Sequence, residues 1–292
     1  MSTEAGRGTA RRAGLAGSPV RHSLSPVLHN AAYAALGLSG WRYDTHEVDA
    51  DSLPGFVAGL GPEWTGLSVT MPGKRVALDI ADVATPRARV VGAANTLTRA
   101  ASGRWHADCT DVDGVADALR AAGGLRAEEG GGTALVLGAG GTAAAAVAAL
   151  AELGLTEVRL VVRDPARAGE AESAARRAGL AVRVHRWADT ELGELATAAR
   201  VLVSTAPPEA VARDAAALAQ VPCVLDVIYH PWPTPLAETA LERHGRVATG
   251  LDMLLHQSFG QVEQFTGLSA PREAMRDALR EATGHTLPLP LN

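Results

Sequence analysis

Lysine is almost absent from this chain: of the 27 Lys+Arg residues among 292, nearly all are arginine. Cysteine is equally scarce. Cys109 and Cys223 stand far apart with no metal-ligand spacing, which excludes a disulfide framework or a structural zinc site and fits a reducing compartment. Gly, Pro or a charge interrupts every apolar run well short of membrane-spanning length, and the arginines of MSTEAGRGTARRAG precede no signal-peptide core. A soluble, cytoplasmic protein with a frayed start is expected. A basic face is missing too, since the net charge is -5, the pI is near 6.0 and both signs are interspersed. Nucleic acid and membrane are therefore excluded as partners, and a small molecule is favoured.

Against that background one ammonium group stands out. Residues 66–75 read GLSVTMPGKR, where a short β-prone run breaks at Pro72-Gly73 and delivers Lys74 just beyond the break.

The composition, 47% hydrophobic and 20% charged over 292 residues, supports more than one ordinary core. From residue 13 to about 110, β-prone runs (AGLAGSPV, WRYDTHEV, LSVTM) alternate with helical ones (PVLHNAAYAALGL), the pattern of an α/β layer. The helix GVADALRAAGG follows, and the Gly/Glu-rich stretch at 125–132 has the composition of a linker. Beyond it TALVLG, EVRLVV, LAVRVHRW, ARVLVST and VPCVLDVI read as strands, separated first by the helices TAAAAVAALAELG and PARAGEAESAARRAG. Their near-continuous Val/Leu content indicates strands covered on both faces, hence a parallel sheet. The expected organisation is a tail at 1–12, a substrate-binding α/β domain at 13–124, a doubly wound Rossmann-type domain at 125–249, C-terminal helices at 250–284 packing back on the first domain, and a tail at 285–292. A cleft is expected between the domains.

The stretch VLGAGGTAAAA places Gly138, Gly140 and Gly141 at a strand-to-helix turn. Glycines there allow a pyrophosphate to approach the free N–H groups of a helix N-terminus. The motif is weak alone, but here it follows a strand, opens a helix and precedes a second strand, the context it requires. That second strand ends at Arg163, Asp164 and Arg167. Two guanidinium groups favour the 2'-phosphate of NADP, whereas Asp164 argues for the ribose hydroxyl of NAD.

In the first domain, GSPVRHSLSPVLHN offers Ser23 and Ser25, two hydroxyls beside a helix start with Pro26 in its first turn. They suit a carboxylate, although Ser25 alone reads as an N-cap. SVTMPGK, GAANTL and ADCTDVDG add Thr70, Lys74, Asn95 and Asp111 at loop ends. Each has a plain reading: Asn95 a turn residue, Asp111 a helix cap, Lys74 a solvated charge. Together they provide an anion clamp, a proton carrier and polar orientation for hydroxyls, as a polyhydroxy acid would need.

These motifs resemble the shikimate dehydrogenase family from about residue 13 to 284. The family's S-x-S-P is similar to Ser23–Pro26, its N-V-T-x-P-x-K to Ser68–Lys74, its N-T-L to Asn95–Leu97, its N-T-D to Cys109–Asp111, its G-A-G-G to residues 138–141 and its N-R-T-x-x-R to Val162–Arg167. The resemblance implies reversible, NADP(H)-linked reduction of 3-dehydroshikimate to shikimate in aromatic amino acid biosynthesis. It implies Lys74 and Asp111 as the catalytic pair and Ser23 and Ser25 on the ring carboxylate. Thr70, Asn95, Asp111 and Gln257 would hold ring hydroxyls, with Tyr229 beside the substrate. Gly138, Ala139, Gly140, Gly141, Thr142, Arg163, Arg167, Gly250 and Met253 would contact the cofactor, with no metal and a monomer or homodimer. Ser68 and Cys109 stand where the motifs have asparagine, and Val162 and Asp164 where the NADP-type motif has Asn and Thr. Competing readings are a quinate or aminoshikimate dehydrogenase and a non-catalytic NADP-binding sensor. A methylenetetrahydrofolate dehydrogenase fits the layout but not the paired serines or N-T-L.

Overall fold

The computed structural model describes residues 10–126 and 131–292. Most of the expected N-terminal tail and residues 127–130 of the expected linker lie outside them. The chain divides into two compact units: one comprises residues up to Arg89, Ala93–Thr110 and Ser258–Pro288; the other comprises Val90–Gly92, Asp111–Gln257 and Leu289–Asn292. The chain thus passes between units at Thr110/Asp111 and at Gln257/Ser258, inside the helix Gly250–Thr266.

The first unit is built on a six-stranded mixed sheet. Its strands are β1 (Arg11–Gly17), β2 (Trp41–Glu47), β3 (Trp64–Val69), β4 (Val83–Ala84), β5 (Thr96–Arg99) and β6 (Trp105–Asp108), in the order β2-β1-β3-β5-β6-β4. β1 lies parallel to β2 and β3, while β5 runs antiparallel to both β3 and β6. The alternating runs AGLAG and WRYDTHEV are legible as β1 and β2. The strands β4 to β6 are too short to carry a period and were not expected. The helix Ser25–Ala35 has Pro26 in its first turn, where a missing N–H costs nothing. It buries Leu28, His29, Ala32 and Tyr33 at three- and four-residue spacing.

In the same core, Phe265 lies so close to β3 that a Cβ at Gly66 would come within 2.0 Å of its ring. Glycine is the residue that lets the helix reach the sheet. His29 stacks on Tyr43 with ring centroids 4.0 Å apart and lies 5.7 Å from the Phe265 ring.

The second unit is a wholly parallel sheet of β7 (Thr133–Leu137), β8 (Glu157–Val162), β9 (Ala181–Arg186), β10 (Ala199–Ser204), β11 (Cys223–Asp226) and β12 (Arg246–Thr249), in the order β12-β11-β10-β7-β8-β9. This is a doubly wound order, reversing between β7 and β10, the position at whose strand C-termini such sheets bind ligands. The Ala-rich helix Gly141–Glu152 is buried from Ala143 to Leu150. Small side chains on every face let it pack against the helices Asp111–Ala121 and Gly169–Arg177. One expected element differs in its start. The helix read from Pro165 begins only at Gly169, after a 3-10 turn at Pro165–Arg167.

His29 generates a stability prediction. Burial is the main cause that lowers its pKa from 6.5 to about 3, opposed by its hydrogen bond to Gln261. Between these values the unfolded chain binds a proton that the folded chain refuses, so stability falls as pH falls below 6.5, by at most about 1.4 kcal/mol per pH unit. Urea unfolding across this window is expected to show a flatter pH dependence in His29→Gln than in wild type. Equal slopes would show that His29 does not set acid sensitivity.

Candidate functional site

In the first unit the sequence-predicted residues gather at the C-terminal ends of β1 and β3. The backbone stitches these ends together. Thr70 N–H donates to Ala16 O (2.9 Å), Val69 N–H to Asn95 O (2.8 Å), and Ala94 N–H to Lys74 O (2.8 Å). Thr70, Lys74 and Asn95 are thereby held on neighbouring turns, with Lys74 opening the helix Lys74–Ile80. Lys74 is half-buried, so the solvated-charge reading does not describe it.

Ser25 is the first residue of its helix and not its N-cap, a position taken by Leu24 with no side-chain cap. The capping contact passes instead to Ser23, whose Oγ accepts from Ser25 N–H at 3.2 Å and lies 3.2 Å from Ser25 Oγ. The result is a pair of adjacent hydroxyls at the positive end of an 11-residue helix. Tyr43, not anticipated as a site residue, brings its buried phenol beside Ser25 and Ser68. Burial raises its pKa, and the two hydroxyls pull it back. The sequence signal was faint, an inward position in an alternating strand.

Asn95 is buried and its amide orientation is determined. Its Oδ1 accepts from Thr110 N–H (2.7 Å) and from Thr96 Oγ1 (2.8 Å), and its Nδ2 donates to Thr110 Oγ1 (3.1 Å). Thr110 is followed directly by Asp111. Two residues before Thr110, Asp108 accepts from Arg87 Nε (3.1 Å) and Nη2 (2.6 Å), from Thr85 Oγ1 (2.7 Å) and from Gln264 Nε2 (2.8 Å). Burial alone would raise this carboxyl, but the Arg87 hydrogen bonds and charge, with Thr85 and the Cys109 N–H, hold it below its usual range. The strand leading to Thr110-Asp111 is thus anchored by a bidentate ion pair.

In the second unit, Asp111 opens the helix Asp111–Ala121 and is buried. That helix comes close to the helix Gly250–Thr266 because of Gly114, where a Cβ would lie 2.7 Å from Met253 O and 2.9 Å from Gln257 Cβ. Asp111, Met253 and Gln257 therefore belong to two helices in direct contact. At the start of the second helix, Asp252 Oδ2 accepts from Thr249 N–H (2.8 Å) and Oγ1 (2.6 Å). Gly250 lies against the Val227–Tyr229 segment, with a virtual Cβ 2.1 Å from Val227 O and 2.9 Å from the Tyr229 ring. Burial raises the Tyr229 pKa, so its hydroxyl stays protonated.

The glycine loop fits a dinucleotide phosphate on two observations. Gly138 has φ +106°, and a Cβ there would lie 2.4 Å from Thr205 Oγ1. A Cβ at Gly140, in contrast, would meet nothing within 4 Å, so that face of the loop is open where Gly141 and Thr142 begin the helix. At the end of β8, Arg163 and Arg167 are exposed. Asp164 is turned to local use: its Oδ1 accepts from Ala166 N–H at 3.0 Å as the cap of the 3-10 turn. Ala139 lies within the loop between the two glycines. Among the described residues no group of His, Cys, Asp and Glu is arranged to hold a metal, and no helix is long and apolar enough to cross a membrane.

Residues 15–97 match the family model of the shikimate dehydrogenase substrate binding domain, and residues 250–280 that of the shikimate 5'-dehydrogenase C-terminal domain. The shikimate dehydrogenase (NADP(+)) of Methylobacterium radiotolerans is 38% identical over 92% of this chain and 95% of its own. The crystal structure of Mycobacterium tuberculosis shikimate dehydrogenase superposes with a TM-score of 0.86 at 53% identity, covering 93% of this chain and 99% of that one. The Thermus thermophilus enzyme in complex with NADP(H) and shikimate superposes with a TM-score of 0.76 at 32% identity, covering 93% and 99%. Loop geometry, paired serines and relatives along nearly the whole chain agree: this chain belongs to the shikimate dehydrogenase family.

Proposed function

We propose that this chain interconverts 3-dehydroshikimate and shikimate with NADP(H), in solution in the cytoplasm. The observation that carries the reading is the turn-by-turn gathering of Thr70, Lys74 and Asn95 at one end of β1 and β3, in a chain whose relatives are NADP-linked shikimate dehydrogenases. Lys74 is the only lysine among 292 residues. A ketone becoming an alcohol must gain a proton at oxygen, and the reverse reaction must lose it. An ammonium can do both, whereas any of the 26 arginines would stay protonated.

Bound NADP(H) supplies or accepts the hydride; the chain's own residues manage binding and the proton. Ser23 and Ser25 hold the ring carboxylate with two hydroxyl donors and the helix dipole. Thr70, Asn95 and Gln257 orient ring hydroxyls, with Tyr229 beside the ring as a protonated donor. Lys74 stabilises the charge that develops on the carbonyl oxygen and gives it a proton, and Asp111 is the second member of the proposed catalytic pair. Gly138, Ala139, Gly140, Gly141 and Thr142 face the pyrophosphate, Gly250 and Met253 the nicotinamide side, and Arg163 and Arg167 the 2'-phosphate. The local capping of Asp164 supports NADP over NAD, because one of its oxygens is engaged by the turn's own N–H while Arg163 and Arg167 stay exposed beside it.

The reading generates three expectations. Lys74→Ala and Asp111→Asn should each lower kcat by roughly a hundredfold or more, the scale of a positioned proton-transfer group; folded variants turning over within a few-fold of wild type would end the assignment. Ser23→Ala combined with Ser25→Ala should mainly raise KM for shikimate, because the carboxylate is held alike in ground and transition states. A lower Tm with unchanged KM would mean that the serines only brace the helix. Arg163→Ala should reduce kcat/KM for NADP by about tenfold or more while sparing NAD, given a charge-assisted contact of about 1.5–3 kcal/mol. An unchanged NADP preference would remove Arg163 from the phosphate site. A panel with shikimate, quinate and aminoshikimate separates this activity from its nearest alternatives.

A further inference from the structure

Gln261 lies one helical turn beyond Gln257, fully buried in the first unit, and its amide uses every hydrogen-bonding position it has. Oε1 accepts from Ser68 Oγ at 3.0 Å and from His29 Nε2 at 3.2 Å. Nε2 donates to Thr96 Oγ1 at 3.2 Å and to Asn95 O at 3.4 Å. A side-chain amide has two acceptor sites and two hydrogens, so these four contacts fill it.

The partners fix which way the amide faces. A carboxamide oxygen can only accept, so His29 must carry its proton on Nε2. That agrees with a histidine held neutral by burial and with an Nδ1 that has no hydrogen-bond partner among the described residues. With Oε1 committed to Ser68 and His29, the two N–H groups must point at Thr96 and at the Asn95 carbonyl. Thr96 Oγ1 therefore receives a hydrogen from Gln261, which leaves its own for Asn95 Oδ1 at 2.8 Å. Oδ1 also takes the Thr110 N–H at 2.7 Å, so the other end of the Asn95 amide is presented as a donor. The Thr110 N–H fixes which end of the Asn95 amide is the oxygen, and Gln261 acts on the same residue by directing the Thr96 hydroxyl onto that oxygen and by holding the Asn95 carbonyl.

The sequence shows a related departure. Ser68 stands where the family motif has asparagine, and its shorter hydroxyl meets the Gln261 amide in the space beside β3.

We propose that Gln261 is a positioning residue that steadies the Asn95 amide through Thr96 and through the Asn95 carbonyl, and thereby the productive placement of substrate; this rests on the functional reading given above. Gln261 does not touch the reacting atoms. Its removal frees the Thr96 hydroxyl to turn away and leaves the Asn95 amide held by Thr110 alone, at a loss of up to about a hundredfold in turnover, the scale of a small misplacement of substrate.

The test is a double-mutant cycle of Gln261→Met and Asn95→Ala, followed by kcat/KM for shikimate, KM for NADP, and Tm. Gln261→Met alone is expected to lower kcat/KM for shikimate by about tenfold to a hundredfold with KM for NADP unchanged. In the Asn95→Ala background the same substitution should lower Tm again but cost little further activity, since the residue it acts through is gone. Full additivity in activity, or a Gln261→Met enzyme as active as wild type, overturns the proposal. If Gln261→Met does not fold, Ser68→Ala takes its place, because it strips one donor from Oε1; an unchanged kcat/KM there also overturns it. Side-chain amide NMR of Asn95 in the unliganded protein decides the same point without turnover. A resonance that shifts or broadens in the variant supports the link, and an unaltered one refutes it. A wild type inactive on shikimate would strike the functional reading alone.

Discussion

A buried amide must have its hydrogen-bonding positions met, and in the first unit the Asn95 side chain is held by its neighbour Thr96 and by Thr110 from beyond the end of the sheet. Gln261 reaches in from the helix Gly250–Thr266 to the Asn95 backbone carbonyl and to the Thr96 hydroxyl. Leaving one such group unpaired costs more than a formed bond contributes, so the arrangement resists slippage in any one of the three. The same backbone turn pins Val69 and sits one residue from the Ala94 contact to Lys74. Site geometry and core packing are here a single set of bonds.

Much of this was legible in the sequence. The second unit could be read almost strand by strand because a parallel sheet covered on both faces leaves long Val/Leu runs and because the glycine loop falls at the one reversal of strand order. The candidate residues of the first unit were picked at loop ends in the sequence, and the structure holds Thr70, Lys74 and Asn95 on neighbouring turns. What escaped is what has no period. β4 to β6 are two to four residues long, and pairing, not propensity, makes them strands. The 3-10 turn at Pro165–Arg167 escaped because its capping aspartate looks in sequence like the start of an α-helix. Gln261 reads as a polar residue on an amphipathic helix, and Gly114 as a helix weakener; only the element packed against each gives it meaning.

The near-total replacement of lysine by arginine has a structural counterpart. Arginine forks reach across loops to carbonyl oxygens and carboxylates: Arg99 to Leu60 O at 3.0 Å, Arg200 to Gly131 O at 2.8 Å, Arg246 to Gly124 O at 2.7 Å, and Arg87 to Asp108. A planar, permanently charged group with several donors suits such bracing, because it never gives up its proton. The same property disqualifies it where a proton must move in both directions. The one lysine lies where the proposed chemistry requires a reversible acid.

Asp164 is a charge that contradicts a motif by its sequence position and has a local task in the structure. Placed after the second strand, a carboxylate would repel a phosphate at close range, and a reading from sequence alone has to weigh it against Arg163 and Arg167. The backbone there makes a tight 3-10 turn, and such a turn exposes a donor two residues on. Asp164 Oδ1 takes that donor at 3.0 Å, so the carboxylate is drawn toward its own turn. The helix itself begins only at Gly169, leaving Arg167 in the turn with Arg163 just before it. An acidic residue in this place thus caps the segment that carries the two guanidinium groups.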